Sequence, residues 1–332
     1  MGKLPFEKEK RELIEVRQSE TNERFGQYPD KRPVELLLKY GIVNLDKPPG
    51  PTSHQASYYL SRIIGVDKAG HSGTLDPKVT GCLPVSLNKA TKIANLLLKS
   101  GKEYITVMHL HSDIEPERIK NACRKFVGTI EQVPPIKSAV KRVKRKREIY
   151  YLEVLEIDGR DVLFRVGCEA GTYIRKLCHD IGASLGTGAH MAQLRRTKSG
   201  PFNENTNLVS LQDVSDAWHY YKTQGNERFI RHCIQPMEKA VEFLPKVYVM
   251  DSTIDPVCHG TPVNVPGIVK AETGIIKDGI VAVMSLKGEL IAYGKAAMST
   301  EEIAKSKRGC AVKTDSVFMS EGTYPKYTKS EE

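Results

Sequence analysis

Four short stretches of this 332-residue chain hold the residue types and spacings from which chemistry can be built. The first is the loop Gly70-His71-Ser72-Gly73-Thr74-Leu75-Asp76-Pro77. Its glycines open backbone angles closed to other residues, and Pro77 fixes the exit. A carboxylate held there has the makings of a nucleophile or a general base. Asp-Pro also starts turns and aspartate also caps helices, so spacing alone leaves Asp76 between a reactive and a structural role. The second is Gly171-Thr172-Tyr173-Ile174-Arg175. Tyr173 and Arg175 share a face if the segment is extended. An arginine so placed can hold a carboxylate ionised through a bidentate contact. The alternative is a surface arginine at a helix start, with an amphipathic tyrosine beside it.

The third stretch follows Pro134-Pro135, where seven Lys or Arg fall between Lys137 and Arg147. Lys141, Arg142, Lys144, Arg145, Lys146 and Arg147 form a run of like charge that repels itself without a polyanion. It reads as a phosphate-binding loop between strands, with Tyr150 and Tyr151 beyond it as candidates for stacking on bases. The fourth is Leu194-Arg195-Arg196-Thr197-Lys198-Ser199-Gly200-Pro201-Phe202. Its alternation of basic and apolar residues fits the lining of a nucleic-acid groove or an exposed strand face.

The rest of the chain must position these groups. A hydrophobic fraction of 40% and a charged fraction of 27% are ordinary for a globular protein with more than one core. The formal net charge of +10 favours polyanionic partners. No stretch approaches the roughly 18 apolar residues of a membrane span, and residues 1–33 lack a signal core. We read the chain as intracellular, with no membrane association. Its seven cysteines are scattered and none forms a C-x-x-C pair, so neither a zinc site nor a disulfide framework is expected. Cys178-His179 and Cys258-His259 are sequence neighbours, which does not make them catalytic pairs.

Tyr40 to Leu45 reads as a buried strand ending at Asp46-Lys47-Pro48-Pro49-Gly50. Ser53 is placed to cap a helix that Gly65 stops. A second helix is expected over Asn88–Lys99, a strand over 102–111 and a helix from Pro116. A hairpin spans Ile149 to Cys168 around Asp158-Gly159. Helical spacing follows over 174–185, a strand over His190–Lys198, and helical patterns over 211–221 and 237–244. Beyond Pro245, short strands over 247–249, 257–265, 280–284 and 290–293 alternate with Gly, Pro and Asp. The fold class is therefore α+β: a mixed, largely antiparallel sheet flanked by helices, followed by a small β-rich domain. The expected organisation is an N-terminal extension over 1–38, a large domain over 39–245, a small β-rich domain over 246–325 and a tail over 326–332.

Several segments, taken in order, resemble the TruB-type pseudouridine synthases. They are Asn44-Leu45-Asp46-Lys47-Pro48, His71 to Pro77, Gly101-Lys102-Glu103-Tyr104, Gly171 to Arg175 and Leu194-Arg195-Arg196-Thr197. The Ser138-Ala139-Val140-Lys141 step fits as well, and His259-Gly260 with Val265-Pro266-Gly267 is similar to a PUA domain. The resemblance covers most of the chain from about residue 38 onward. Three features resemble the dyskerin branch, the catalytic subunit of H/ACA ribonucleoproteins, in its short archaeal form. These are His109-Leu110-His111, the short interval from His111 to Pro134, and the extensions at both ends.

The resemblance implies isomerisation of uridine to pseudouridine, without cofactor or metal. It implies that Asp76 is the essential carboxylate, that Tyr104 stacks on the flipped base, that Arg175 pairs with Asp76, and that Tyr173 packs near the base. It places Lys47 and Pro48 in support of the loop and His71 near the RNA; Lys47, Arg195, Arg196, His259 and Gly260 join the basic run as RNA-binding candidates. Implied partners are an H/ACA guide RNA, a ribosomal or transfer-RNA substrate and the small H/ACA proteins. Implied location is the archaeal cytoplasm, or the nucleolus of a eukaryote. Three readings follow: a guide-dependent subunit, a stand-alone transfer-RNA enzyme, and a non-catalytic RNA scaffold. By the same resemblance, residues 1–38 wrap on the PUA-like domain. On this reading Asp76 is buried beside Arg175.

Overall fold

A computed structural model of the chain describes residues 2–134 and 143–326. The chain divides into two compact units. One comprises Met1–Lys8, Val43–Val85 and Ile93–Cys233; the other comprises Glu9–Ile42, Ser86–Lys92 and Ile234–Glu332. The α+β class holds in the arrangement of both. No helix among the described residues is long and apolar enough to cross a membrane.

The main sheet runs in the order Leu208–Val209, Gly41–Lys47, Thr80–Leu87, Ala189–Ser199, Lys102–Leu110, Asp161–Cys168, Arg145–Asp158 and Gly128–Gln132. Ala189–Ser199 is the hinge of its topology. It pairs antiparallel with all of Lys102–Leu110 and parallel with Thr80 and Gly81. The Asp158-Gly159 hairpin joins Arg145–Asp158 to Asp161–Cys168 in antiparallel register, with Gly159 at φ 54°. Helices Pro116–Arg124 and Ile174–Leu185 share one core with these strands. Ile174, Leu177, Cys178, Ile181 and Leu185 are buried on one face of the second helix, and Met108, Phe164 and Val166 belong to the same core. Full burial of each such side chain stabilises by about 1.5–3 kcal/mol. Gly186, in the left-handed region at φ 80°, ends the helix.

The second unit holds a seven-stranded sheet in the order Leu13–Glu15, Ile268–Glu272, Lys246–Val249, Ile280–Ser285, Leu290–Ala296, Cys310–Val317 and Val263–Asn264. Val247, Val249, Val281, Val283, Ile291 and Val312 fill its core. Part of the N-terminal extension belongs to this sheet, where Leu13–Glu15 pairs antiparallel with Lys270–Glu272. Arg32 forms a two-pronged ion pair with Glu238 (2.9 and 2.8 Å), both buried, and Glu238 also accepts from the Leu290 amide.

Three local expectations change. The strand expected over 257–265 is the helix Asp251–Cys258 followed by the short strand Val263–Asn264. Ile254, Val257 and Cys258 recur at helical spacing and bury together, and that burial outweighs the breaker Pro256. Asn88–Lys99 splits into a 3-10 turn, Asn88–Ile93, and a short α-helix, Ala94–Leu98. The turn of helix expected over 237–244 is a 3-10 segment, Met237–Val241.

Replacing Arg32 with Ala leaves Glu238 charged and buried without its partner. The expected cost is about 3–5 kcal/mol, read as a lower denaturation midpoint. A midpoint equal to wild type would mean that the pair carries no such burden.

Candidate active site

The loop bearing Asp76 is held by groups that bond its backbone. Ser53 holds Leu75: its Oγ accepts from the Leu75 amide (2.8 Å) and donates to the Leu75 carbonyl (3.1 Å). On the far side of Asp76, Lys47 Nζ donates to the carbonyls of Pro77 (3.0 Å), Val79 (2.9 Å) and Pro48 (2.9 Å). The Gly50 amide donates to the Pro77 carbonyl as well. Before Asp76, Arg196 donates through Nη2 to the Gly73 carbonyl (3.2 Å), and its Nε donates to the Cys82 carbonyl (2.7 Å) in the strand Thr80–Leu87 beyond the loop. Gly73 sits at φ 122°, and a Cβ on Gly81 would lie 2.2 Å from the Arg196 carbonyl oxygen. Glycine is required at both positions.

Asp76 therefore stands on a fixed loop with its carboxylate exposed, and it forms an ion pair with Arg175. Both side chains are 57% exposed, which corrects the expectation of a buried pair. The loop, pinned by its backbone, pushes this side chain out. Arg175 lies in the first turn of Ile174–Leu185, and Tyr173 is that helix's N-cap residue. The segment is a helix start and not an extended strand. Tyr173 has both backbone polar groups bonded by the side chain of Gln132, at 2.9 and 3.1 Å. Tyr104 is half-buried and pairs with Arg196 across the sheet. Burial pushes its phenol above the usual range, and the Arg196 charge opposes that shift.

The cations around the loop differ from what their types lead one to expect. Lys47 is 0% exposed and Arg196 is 1% exposed. Neither has the solvent exposure expected of an RNA contact; each is buried with backbone carbonyls as its acceptors. Burial pushes the Lys47 amine down, and the Asp76 charge opposes this. His71 is half-buried with its Nδ1 unpartnered, and its imidazole is pushed down by burial, then by the Arg196 and His54 charges. Arg195 is half-exposed but engaged, bidentate to Asp46 (3.0 Å each) and bonded to Glu204 (2.6 Å).

Of the basic run, Lys141 and Arg142 lie outside the described residues. Lys144 and Lys146 are exposed, while Arg145 and Arg147 are half-buried. Tyr151 is not free to stack on a base, since it is buried with its hydroxyl on Glu103. His259 and Gly260 belong to the second unit, where His259 is exposed beyond Asp251–Cys258 and faces Glu321 at 3.4 Å. Two contributors escape a reading of the sequence for site residues. Ser53 reads as a helix cap, but Thr52 takes that place in a capping box with Gln55, which frees Ser53 for the loop. Gln132 carries no chemical signal of its own in the sequence.

The TruB family pseudouridylate synthase N-terminal domain matches residues 61–115 and 111–174, and the tRNA pseudouridylate synthase B C-terminal domain matches 175–242. A PUA domain matches 245–318, and a DKCLD (NUC011) domain matches 2–57. The probable tRNA pseudouridine synthase B of Pyrococcus abyssi is 54% identical, over 97% of each chain. Its counterpart in Methanosarcina barkeri is 53% identical, over 99% of this chain and 97% of that one. Among solved structures, a chain of a Cbf5-Nop10-Gar1 complex superposes with a TM-score of 0.94 at 52% identity, covering 98% of each chain. A chain of an H/ACA RNP bound to a substrate RNA containing 2'-deoxyuridine gives 0.92 at 49% identity, covering 98% of this chain and 99% of that one.

Lys102 supplies a pH test of the buried charge in this region. Its Nζ donates to the carbonyls of Leu97 (2.8 Å) and Ser100 (2.7 Å), and its amine is pushed down to about 7 by burial, then by the Arg196 charge. The unfolded amine titrates at about 10.4, so between these values the unfolded chain binds more protons and stability rises with pH. Lys102→Met removes that dependence. The stability difference, variant minus wild type, is expected to fall as pH is raised from about 6 to about 10. A flat difference in denaturation midpoints across that range would refute it.

Proposed function

The chain belongs to the TruB family of pseudouridine synthases, which makes it an isomerase, and we propose that Asp76 carries its chemistry on a uridine directed to the site by a guide RNA. The observation behind this reading is the loop geometry. A carboxylate with its backbone pinned on both sides projects to the surface against a guanidinium. Fixed placement of a reactive group supplies much of an enzyme's advantage.

Pseudouridine formation breaks the N1–C1′ bond, turns the uracil and joins C5 to C1′. Atoms and electrons are conserved, so the reaction calls for no redox partner. The target base leaves its stack before a carboxylate can reach the sugar. Asp76 then attacks C1′, or removes the C2′ proton to give a glycal. Arg175 keeps the carboxylate oriented, Tyr104 stacks on the extruded base, and Tyr173 stands where the C5 proton is handled. Lys47 and Arg196 hold the loop from beneath. His71, Arg195 and the basic run from Lys141 to Arg147 contact RNA.

Support for a guide-dependent role comes from relatives of about half identity, solved in complexes with Nop10, with Gar1 and with substrate RNA. We assign this chain the same kind of assembly, with small H/ACA proteins on the catalytic domain. The PUA domain, through His259 and Gly260, holds the 3′ end of the guide, and ribosomal or transfer RNA is the target. The relatives named for transfer-RNA modification support a second activity on the T-loop uridine. The archaeal relatives support a cytoplasmic location.

Asp76→Asn is expected to abolish pseudouridine formation while RNA affinity stays close to wild type. The assay maps pseudouridine in a transfer-RNA transcript and in a guide–target pair, each with and without partner proteins. Product at the normal rate from Asp76→Asn would sink the assignment. Neutralising Lys141, Arg142, Lys144 and Arg145 together is expected to flatten the salt dependence of RNA affinity, by about 0.7–0.9 in the log–log slope for each phosphate no longer neutralised. An unchanged slope would remove that run from the interface.

A further inference from the structure

We infer that Gln132 is a positioning residue for the reaction, setting Tyr173 and Arg175 against Asp76; this rests on the reading of those residues as the reacting set. Gln132 ends the strand Gly128–Gln132 and is 2% exposed. Its Oε1 accepts from the Tyr173 amide at 2.9 Å, and its Nε2 donates to the Tyr173 carbonyl at 3.1 Å. One side chain thus fixes both peptide planes flanking a single Cα.

That Cα is a sensitive place to hold. Tyr173 is the N-cap residue of Ile174–Leu185, yet its own side chain makes no capping bond. Its carbonyl also accepts from Leu177, the first bond of the helix. The entry of the helix is therefore aimed by Gln132 from outside. Arg175 lies two residues on, in the first turn, and reaches Asp76 from there. A shift of the N-cap residue moves the guanidinium and the tyrosine together.

The amide suits the task through its paired donor and acceptor at a fixed spacing. A carboxylate offers no donor to the Tyr173 carbonyl, and a thioether has no donor and accepts only weakly. The strand carrying Gln132 also pairs with the hairpin that bears the basic run, with Gln132 opposite Arg145. The same residue therefore stands at the start of the proposed RNA-binding segment and at the root of the reacting helix.

The test compares Gln132→Met, which keeps the shape, and Gln132→Glu, which loses the donor, with wild type and Asp76→Asn. All are full-length chains assayed on the RNA substrate that wild type turns over. Misplacement by about 1 Å is expected to lower kcat ~10²-fold while KM stays within about three-fold, because the loss lies in orientation and not in binding. Wild-type kcat in both folded variants, or a loss confined to KM, overturns the proposal. Failure of both variants to fold would make Gln132 a core pin and overturn it too. If Asp76→Asn is dead while the Gln132 variants turn over normally, only the positioning role fails. If Asp76→Asn retains full activity, the reading of the reacting set fails first.

Discussion

Buried cations bonded to loop carbonyls are the constraint on which the site depends. Backbone carbonyls turned inward must find donors, and an ammonium or guanidinium turned inward must find acceptors. Lys47 and Arg196 meet both needs at once, on either side of Asp76. Ser53 closes the gap between them at Leu75. With the main chain held at Gly73, Leu75, Pro77 and Val79, the side chain of Asp76 is turned outward from a fixed base. Its exposure follows from this, as does its access to a guanidinium from a different element.

The two halves of the candidate site are supported by different parts of the fold. Asp76 is tied to Gly41–Lys47 and to the helix that begins at Ser53. Tyr173 and Arg175 are tied to the strand ending in Gln132. The two groups meet through the ion pair and the sheet beneath, where Tyr104 and Arg196 face each other across paired strands. Asp76 and Arg175 lie 99 residues apart in sequence, so their closeness is a property of the sheet order and not of any local motif.

That separation explains which features are legible in the chain and which are not. Periodicity exposes the helix over 174–185, because five apolar residues at helical spacing leave no other element able to bury them. The hairpin at Asp158-Gly159 is equally legible, since its turn chemistry is local. The pairing of Asp76 with Arg175 is accessible only through family resemblance. The burial of Lys47 and Arg196 is illegible, because a cation reads as surface unless its acceptors are known, and these acceptors include carbonyls far away in the sequence. Thr52 and Ser53 are adjacent hydroxyls, and only backbone angles show which one caps the helix. At 251–258 a proline masks a helix whose apolar face is in plain view.

The strand Leu13–Glu15 has a consequence of its own. It occupies the margin of the seven-stranded sheet alongside Lys270–Glu272. Without it, Ile268–Glu272 would present an open row of amides and carbonyls, the template on which stray chains add and aggregates grow. The amino-terminal arm thus acts as a built-in selvedge, finishing the sheet so that it does not unravel into its neighbours.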